Sequence, residues 1–279
     1  MANITATQVK ELRDATNVSM MECKKALVES GGDKDAAIRM LRERGLAIAG
    51  KKAERVAKEG IVAADVTDGG KTGVIIEVNC ETDFVSRNEV FQSFVKDLLV
   101  RARDVGDNEL ADAVKDEVVA KVAEIGENII VRRNAKYEVQ GNGLIASYIH
   151  LGGKMGVLLE VGCEKDDTAA REDFRELVKD IALHIAACNP SYLKRAEVPE
   201  DLIQSEREIF AKQVEGKPAN IIDKIVEGKL EKYFGQICLL EQGFVKNPDQ
   251  TVTQLIEEKG KSIGDTVGIR RYVRFQIGA

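Results

Sequence analysis

The hydrophobic positions of the first fifty residues recur at the spacing of amphipathic helices. A threonine, Thr5 or Thr7, can cap a first helix that runs to Arg13. A second helix is predicted from Met20 to the paired glycines at 31–32, and Asp33 can cap a third. The apolar positions of the third helix are Ala36, Ala37, Met40, Leu41 and Ile48. This pattern predicts a three-helix unit, followed by a charged linker.

From residue 60 onwards the apolar positions alternate as in β-strands, and the alternation occurs twice. Residues 60–97 reappear, shifted by 83, at residues 143–180, and 17 of the 38 aligned positions are identical. Each copy predicts a β-hairpin around a glycine-rich turn, followed by an amphipathic helix. The predicted strands are 61–66, 74–79, 144–149 and 157–161, and the predicted helices run to about residues 103 and 187. The repeat indicates an internal duplication.

A closing strand follows each copy at a different distance. Residues 125–133 align with residues 263–271 at a shift of 138, and the difference between the shifts of 138 and 83 leaves 55 more residues in the second copy. Those residues contain two amphipathic patterns joined by Gly216-Lys217-Pro218, which predict an antiparallel helical hairpin over about 199–234. The predicted fold class is α+β with small antiparallel sheets. The predicted domains are a three-helix domain with its linker at 1–54, a core subdomain at 55–141, and a second core subdomain at 142–279 that carries the inserted hairpin at about 190–235.

Composition and charge narrow the class of protein. Hydrophobic residues make up 44% of the chain and charged residues 32%, which is typical of a soluble, folded protein. The net charge of −6 divides into +4 over residues 1–58 and −10 over the remainder. An acidic body argues against nucleic acid as the main partner. No apolar run reaches the roughly 20 residues that cross a bilayer, and the first residues lack a signal-peptide pattern, so we expect no membrane partner and a cytoplasmic location.

The sequence lacks the common patterns of catalytic and metal sites. It has no nucleophile elbow, no HExxH and no GxGxxG after a strand. The glycine-rich stretch 69–73 lacks the first glycine of a phosphate loop and precedes a predicted strand, which indicates a hairpin turn. The histidines His150 and His184 have no metal-ligand spacing to a cysteine. We therefore expect no catalytic residue, no metal and no cofactor.

The two copies differ most sharply after the second strand of each hairpin. The first copy has Thr82-Asp83-Phe84-Val85, whereas the second has Lys165-Asp166-Asp167-Thr168. An exposed aromatic beside a carboxylate is typical of a binding anchor, although Phe84 could equally close the core of its own domain. Met20 and Met21 are a second candidate contact, with the ordinary core of the helical unit as the alternative.

Four segments resemble a known family. They are VKELRDATNVSMMECKKAL, EVNCETDFV, IGENIIVRR and IRRYVRF, and they occur in order along essentially the whole chain. They are similar to elongation factor Ts, the guanine nucleotide exchange factor for elongation factor Tu in bacteria and organelles. The resemblance implies a ubiquitin-associated-like N-terminal domain, two similar α+β subdomains and a helical hairpin within the second. It implies an exchange factor with no covalent chemistry that acts on elongation factor Tu. The sequence leaves open whether the chain forms a homodimer or a heterotetramer with that partner.

The resemblance also implies roles for individual residues. Thr82, Asp83, Phe84 and Val85 correspond to the tip that enters the GTPase near its magnesium site, where the aromatic wedges between helices and the acid helps to disrupt the metal's water network. Other implied contacts are Ile125 and Gly126 beside that tip, Met20 and Met21 on the nucleotide-binding domain, His150 at the second hairpin, and Ile237 facing another domain of the GTPase.

Two departures from the family accompany this resemblance. Asn17 stands where the family usually has glycine, and asparagine tolerates the left-handed backbone that such a turn needs. Some members of the family continue after the last strand into a helical module that contacts the partner, whereas the sequence ends at Ala279, so that contact is not expected here.

Three other classes of function stay open at this point. An enzyme would use residues 69–73 or His150 to line a pocket. An RNA-binding module would use the basic segment 42–58, and a generic oligomerisation scaffold would use the hairpin at 199–234.

Overall fold

The computed structural model describes residues 4–16, 18–214 and 218–279. Asn17, with its predicted left-handed turn, and the predicted turn residues Gly216 and Lys217 lie outside the described residues. The helices of the first segment are α1 (Ala6–Thr16), α2 (Met20–Glu29) and α3 (Lys34–Lys52). Their shared core consists of Val9, Leu12, Cys23, Ala26, Leu27, Ala37 and Leu41.

Local capping explains where these helices begin. The Ser19 side chain accepts a hydrogen bond from the Glu22 backbone N–H, and the Asp33 side chain accepts one from the Ala36 backbone N–H, as the sequence predicts for Asp33. Ile48 differs from its prediction: it is 38% exposed, and Gly45 is the buried residue in this part of α3.

A three-stranded antiparallel sheet follows, with the order β1-β2-β3. Its strands are β1 (Glu59–Thr67), β2 (Thr72–Cys80) and β3 (Ile129–Glu138), and the helices between the last two are α4 (Asp83–Ser86), α5 (Glu89–Ala102), α6 (Leu110–Ala113) and α7 (Lys115–Ile125). The apolar side of α5, with Phe91 and Leu98, packs on the alternate residues of β2 that face the helices. The N-terminal helices reach this unit through α3, whose Gly45 lies against Val119 and Ala123 of α7.

The second unit repeats this order with additions. Its elements are β4 (Gly143–His150), β5 (Met155–Cys163), α8 (Glu172–Cys188), α9 (Glu200–Lys212), α10 (Ala219–Ile237), β6 (Gly243–Phe244), β7 (Asn247–Thr251), α11 (Val252–Ile263) and β8 (Val267–Gln276). The sheet has the antiparallel order β4-β5-β8. Helices α9 and α10 form the predicted hairpin, whose contact buries Val226, Leu230 and Phe234. Among the described residues, no helix combines the length and the apolar character needed to cross a membrane.

The two sheets are joined by reciprocal contacts through their hairpin turns. The Gly153 carbonyl accepts a hydrogen bond of 2.7 Å from the Val62 N–H, and the Gly70 carbonyl accepts one of 2.8 Å from the Ile145 N–H. The two bonds are related by the shift of 83. Between the sheets lies a buried apolar layer of Val62, Ile75, Ala135, Tyr137, Ile145, Leu158 and Phe275. Each hairpin turn therefore accepts a hydrogen bond from the first strand of the other unit.

Close packing at this layer depends on a glycine. A Cβ atom placed on Gly156 would lie 2.5 Å from Val62 Cγ1 and 2.8 Å from Ile149 Cδ1. Gly156→Ala is therefore expected to lower the free energy of unfolding by about 2 kcal/mol, measured by urea denaturation, because overpacking forces neighbours off their preferred rotamers. Gly228→Ala is the control: this exposed glycine in α10 has open space around it. Here alanine should stabilise by about 1 kcal/mol. Equal destabilisation by both changes would contradict this account.

A carboxylate is buried at the same place in each sheet. Glu77 of β2 and Glu160 of β5 are fully buried, and each lies at a β-bulge. Arg133 Nε donates to Glu77 Oε2, and Arg271 Nε donates to Glu160 Oε2, both at 2.7 Å. The same two guanidinium groups lie over the rings of Phe275 and Tyr137 in the opposite sheet. Buried charge is tolerated here because it is paired and hydrogen-bonded.

Candidate partner-binding site

The segment after β2 forms a short, outward-pointing turn that we call the tip, residues 82–85. Thr82 is the N-cap of α4: its side-chain oxygen accepts a hydrogen bond of 3.3 Å from the Val85 N–H. The Cys80 thiol donates to the Thr82 carbonyl at 3.2 Å. Phe84 is 83% exposed, which is exceptional for an aromatic side chain and excludes the alternative that it closes its own core. The tip therefore presents an aromatic ring on a hydrogen-bonded turn.

The base of the tip is held by a carboxylate from a distant segment. Glu127 Oε2 accepts hydrogen bonds from the backbone N–H groups of Glu81 and Thr82, both at 3.0 Å, and Glu127 Oε1 accepts one of 2.6 Å from Thr82 Oγ1. Gly126 ends α7 in the left-handed conformation, with φ of 85°, and so reverses the chain to bring Glu127 back. Ile125, half-buried, anchors this corner in the core of the first unit.

A second set of contacts joins the same two segments. The Asn128 N–H donates to Glu81 Oε1 at 2.6 Å, and the Asn128 side-chain amide donates to the Arg55 carbonyl at 2.8 Å. Since Arg55 follows α3, the buried Asn128 also ties the linker from the N-terminal helices to the base of the tip. The structure thus brings Ile125 and Gly126 to the tip, as the predicted site requires.

The two charged side chains at the tip form an exposed ion pair. Asp83 pairs with Arg87, one helical turn later, at 3.1 Å, and the two side chains are 43% and 79% exposed. Exposed pairs of this kind contribute little stability, so a partner can take over either group at small cost. The Cys80 thiol below is inert, because its burial and the nearby charge of Glu127 raise its pKa to about 12.

The predicted contact His150 ends β4, next to the turn that joins β4 to β5. Its exposed ring stacks on Tyr148, with Nδ1 hydrogen-bonded to the tyrosine hydroxyl at 3.0 Å. Four residues later, Lys154 forms an ion pair with Glu59, and Glu59 lies opposite Cys80 in the β1–β2 register. The turn between β4 and β5 is therefore at the end of the first sheet from which the tip emerges.

The other predicted contacts lie on separate elements. Met20 and Met21 begin α2 and are 42% and 63% exposed, so neither belongs to the core of the three-helix unit. Ile237 ends α10 and is half-buried against the core of the helical hairpin, which leaves only part of its side chain available.

The second unit shows why its own turn differs. Asp265, which matches Glu127 at the shift of 138, accepts hydrogen bonds from the Glu164 and Lys165 N–H groups at 3.2 and 3.0 Å. Its third bond, of 2.6 Å, comes from the Thr168 hydroxyl, and this hydrogen bond chiefly lowers the pKa of Asp265. Thr168 matches Val85 and is buried, whereas Val85 is half-buried. In the first unit the hydroxyl bound by the matching carboxylate comes three residues earlier, from Thr82.

Sequence reasoning missed two features of this region. Glu127 received no role, although its alignment with Asp265 after a glycine was a usable signal. Leu151, beside His150, is 70% exposed and has a φ of 50°, a left-handed conformation that is unfavourable for leucine. The first unit has Asp68 at the matching position with the same conformation. The replacement of this turn-forming residue by an apolar one in the second copy was therefore a signal visible in the sequence.

The side chains of the tip and its base are joined by hydrogen bonds and an ion pair. Among residues 4–16, 18–214 and 218–279, no three His, Cys, Asp or Glu side chains are grouped as metal ligands. What the tip offers is one aromatic ring, one weakly paired carboxylate and a backbone fixed from below.

Comparison with known proteins gives this surface a context. The family model "Elongation factor TS" matches residues 81–279. Elongation factor Ts of a Nitratiruptor species is 45% identical over 286 residues, covering 99% of this chain and 93% of the relative. Elongation factor Ts of Clostridioides difficile (strain 630) is 46% identical over 290 residues, covering 100% of this chain and 94% of the relative. The chain therefore belongs to the elongation factor Ts family.

Proposed function

We propose that this chain is a guanine nucleotide exchange factor of translation elongation, which binds elongation factor Tu carrying GDP and releases the nucleotide. Membership of the family and the exposed Phe84 on a hydrogen-bonded turn are the observations that support this most strongly. The chain performs no covalent chemistry in this proposal. Its site of action is the cytoplasm, where translation takes place.

The physical basis of exchange is differential affinity. A ligand shifts an equilibrium only by binding one state better than another, so the factor must prefer the nucleotide-free GTPase. By reciprocity, it then weakens GDP binding by the same factor. Phe84 wedges between helices of the GTPase, and Asp83 leaves Arg87 to disturb the waters around the bound magnesium ion. Loss of magnesium coordination speeds the exit of GDP, and GTP later displaces the factor.

The remaining predicted residues extend this contact. Thr82 and Val85 frame the wedge, and Ile125 and Gly126 support it from the side. Met20 and Met21 dock on the nucleotide-binding domain of the partner, His150 adds a contact near the wedge, and the accessible part of Ile237 faces another domain. We further propose that the first three helices form a ubiquitin-associated-like domain and that the core arose by duplication. The proposed domains span residues 1–54, 55–141 and 142–279, and the chain assembles as a homodimer or as a heterotetramer with its partner.

The test is release of a fluorescent GDP analogue from elongation factor Tu, measured by stopped flow with and without this chain over a magnesium titration. We expect the chain to accelerate release of GDP strongly at high magnesium and less at low magnesium, because loss of the ion by itself already speeds release of GDP. A release rate that does not depend on the chain at any magnesium concentration would overturn the proposal.

A further inference from the structure

The carboxylate of Glu127 holds the tip by three hydrogen bonds, and the proposed function assigns no role to this residue. We propose that Glu127 is a positioning residue for nucleotide exchange, which acts through Thr82 to set the direction in which Phe84 projects. The inference rests on the proposed function, because the direction of the ring matters only if the tip enters a partner.

The hydrogen bonds form a short relay from Glu127 to the turn. Thr82 Oγ1 donates to Glu127 Oε1 at 2.6 Å, and the same oxygen accepts from the Val85 N–H at 3.3 Å. A hydroxyl that donates a hydrogen bond to a carboxylate keeps its oxygen lone pairs to accept the capping bond. Glu127 therefore fixes both the rotamer of Thr82 and the role of its hydroxyl as helix cap.

The turn depends on this support because it is short. Helix α4 has four residues, a length at which helix formation is unfavourable without outside contacts. Glu127 accepts hydrogen bonds from the N–H groups of Thr82, the N-cap of α4, and of Glu81 immediately before it. Phe84 cannot supply such contacts itself, since its ring is almost wholly in solvent.

Glu127 is in turn held in position from both sides. The left-handed Gly126 sets its approach, and Asn128 returns a hydrogen bond to Glu81, so that the two segments are joined in both directions. A positioning residue needs such second contacts, because a loose support cannot transmit a direction.

The second unit supplies a matched control within the same chain. Asp265 makes the same number of hydrogen bonds to the matching turn, with the same type of donors. Its turn carries Asp167 where the first unit has Phe84. Loss of either carboxylate should disturb its own turn to a similar extent, but only the loss of Glu127 should change exchange.

The experiment measures GDP release from elongation factor Tu over a range of factor concentrations, for the full chain and for Glu127→Ala, Glu127→Gln and Asp265→Ala. At saturating factor we expect Glu127→Ala to lower the maximal release rate about tenfold, since a small misplacement of a working group has effects of this order. Glu127→Gln, which keeps an acceptor for the two N–H groups, should recover part of the loss. The maximal release rate with Asp265→Ala should stay within about twofold of the rate with the parent chain. The urea midpoint of Asp265→Ala should shift by about as much as that of Glu127→Ala.

A second pair of variants tests the relay if Glu127→Ala folds poorly. Thr82→Ser keeps the hydroxyl and should lose less exchange than Thr82→Val, which removes the hydroxyl and should resemble Glu127→Ala. Combining Thr82→Val with Glu127→Gln should add little, because both changes interrupt the same relay.

A readout independent of exchange comes from fluorescence. The chain contains no tryptophan, so Phe84→Trp introduces a single reporter at the tip. Its anisotropy should decay faster when Glu127→Ala is added and should not change when Asp265→Ala is added. Equal losses of exchange in both alanine variants, or unchanged anisotropy in both, would overturn the positioning role. If the parent chain itself fails to release GDP, the proposed function is wrong instead.

Discussion

Replacing Phe84 with alanine is expected to slow factor-stimulated release of GDP from elongation factor Tu about 30-fold at subsaturating factor, equivalent to about 2 kcal/mol. The ring is 83% exposed in the free chain, so its contact area is available to a partner. Aromatic side chains that fill a partner's pocket commonly dominate the binding free energy. The loss should appear in stopped-flow measurements with the fluorescent nucleotide.

The stability of the chain should not change in this variant, because an exposed ring contributes few internal contacts. The free energy of unfolding, from urea denaturation, should stay within about 0.5 kcal/mol of the parent value. Val100→Ala is a suitable control, since Val100 is an exposed apolar residue on α5 (53%). Unchanged GDP release in Phe84→Ala, or an equal loss in Val100→Ala, would show that the ring is not the wedge.

Glu160→Ala should lower the free energy of unfolding by about 3 kcal/mol, the largest effect that we expect on stability. The buried carboxylate accepts hydrogen bonds from Arg271 Nε at 2.7 Å, from Arg270 Nη1 at 3.0 Å and from the Gln140 N–H at 2.9 Å. Its removal leaves two guanidinium groups without their partner at the junction of the sheets. Urea denaturation at neutral pH gives the measurement.

The control for Glu160→Ala is Glu227→Ala, which breaks an exposed pair with Arg207 on the helical hairpin. That change should cost less than about 1 kcal/mol, because exposed pairs are solvated and screened. If both variants lose the same stability, burial is not what gives the Glu160 cluster its importance.

Glu160 also predicts a dependence of stability on pH. Burial would raise the pKa of this carboxyl, but hydrogen bonds from the Gln140 N–H, Arg271 and Arg270 outweigh it and hold the pKa below the ordinary value of 4.5. A lowered folded-state pKa adds stability above the unfolded value, and this contribution disappears as the pH falls through the lowered pKa. Acid should therefore destabilise the parent chain more steeply than Glu160→Ala below pH 4.5.

Much of the fold follows from local patterns. Strand alternation around glycine-rich turns located both hairpins, and Asp33 located the start of α3. Helices α7 and α11 were not predicted, although the Thr251–Gln254 capping box marks the start of α11. The buried Glu77 and Glu160 were also missed, because a glutamate within a strand ordinarily faces water and its arginine partners lie far away in sequence.

In the candidate site, too, some features could be predicted from the sequence and others could not. The tip could be found because the two copies diverge there, and divergence within a repeat is visible in sequence. Glu127 could not be found by local rules, since it reaches Thr82 across 45 residues. The direction of Phe84 depends on that long-range contact, so only the three-dimensional arrangement could decide between an exposed anchor and a core side chain.

The reciprocal bonds of Gly70 and Gly153 have a consequence for how the chain is assembled. Each half of the core needs the other's turn to finish its own first strand, so neither presents a complete surface by itself. We therefore expect the two halves to fold and unfold together. A force that a partner exerts on one half is then shared by the other half. The tip that carries Phe84 is therefore supported by the whole core.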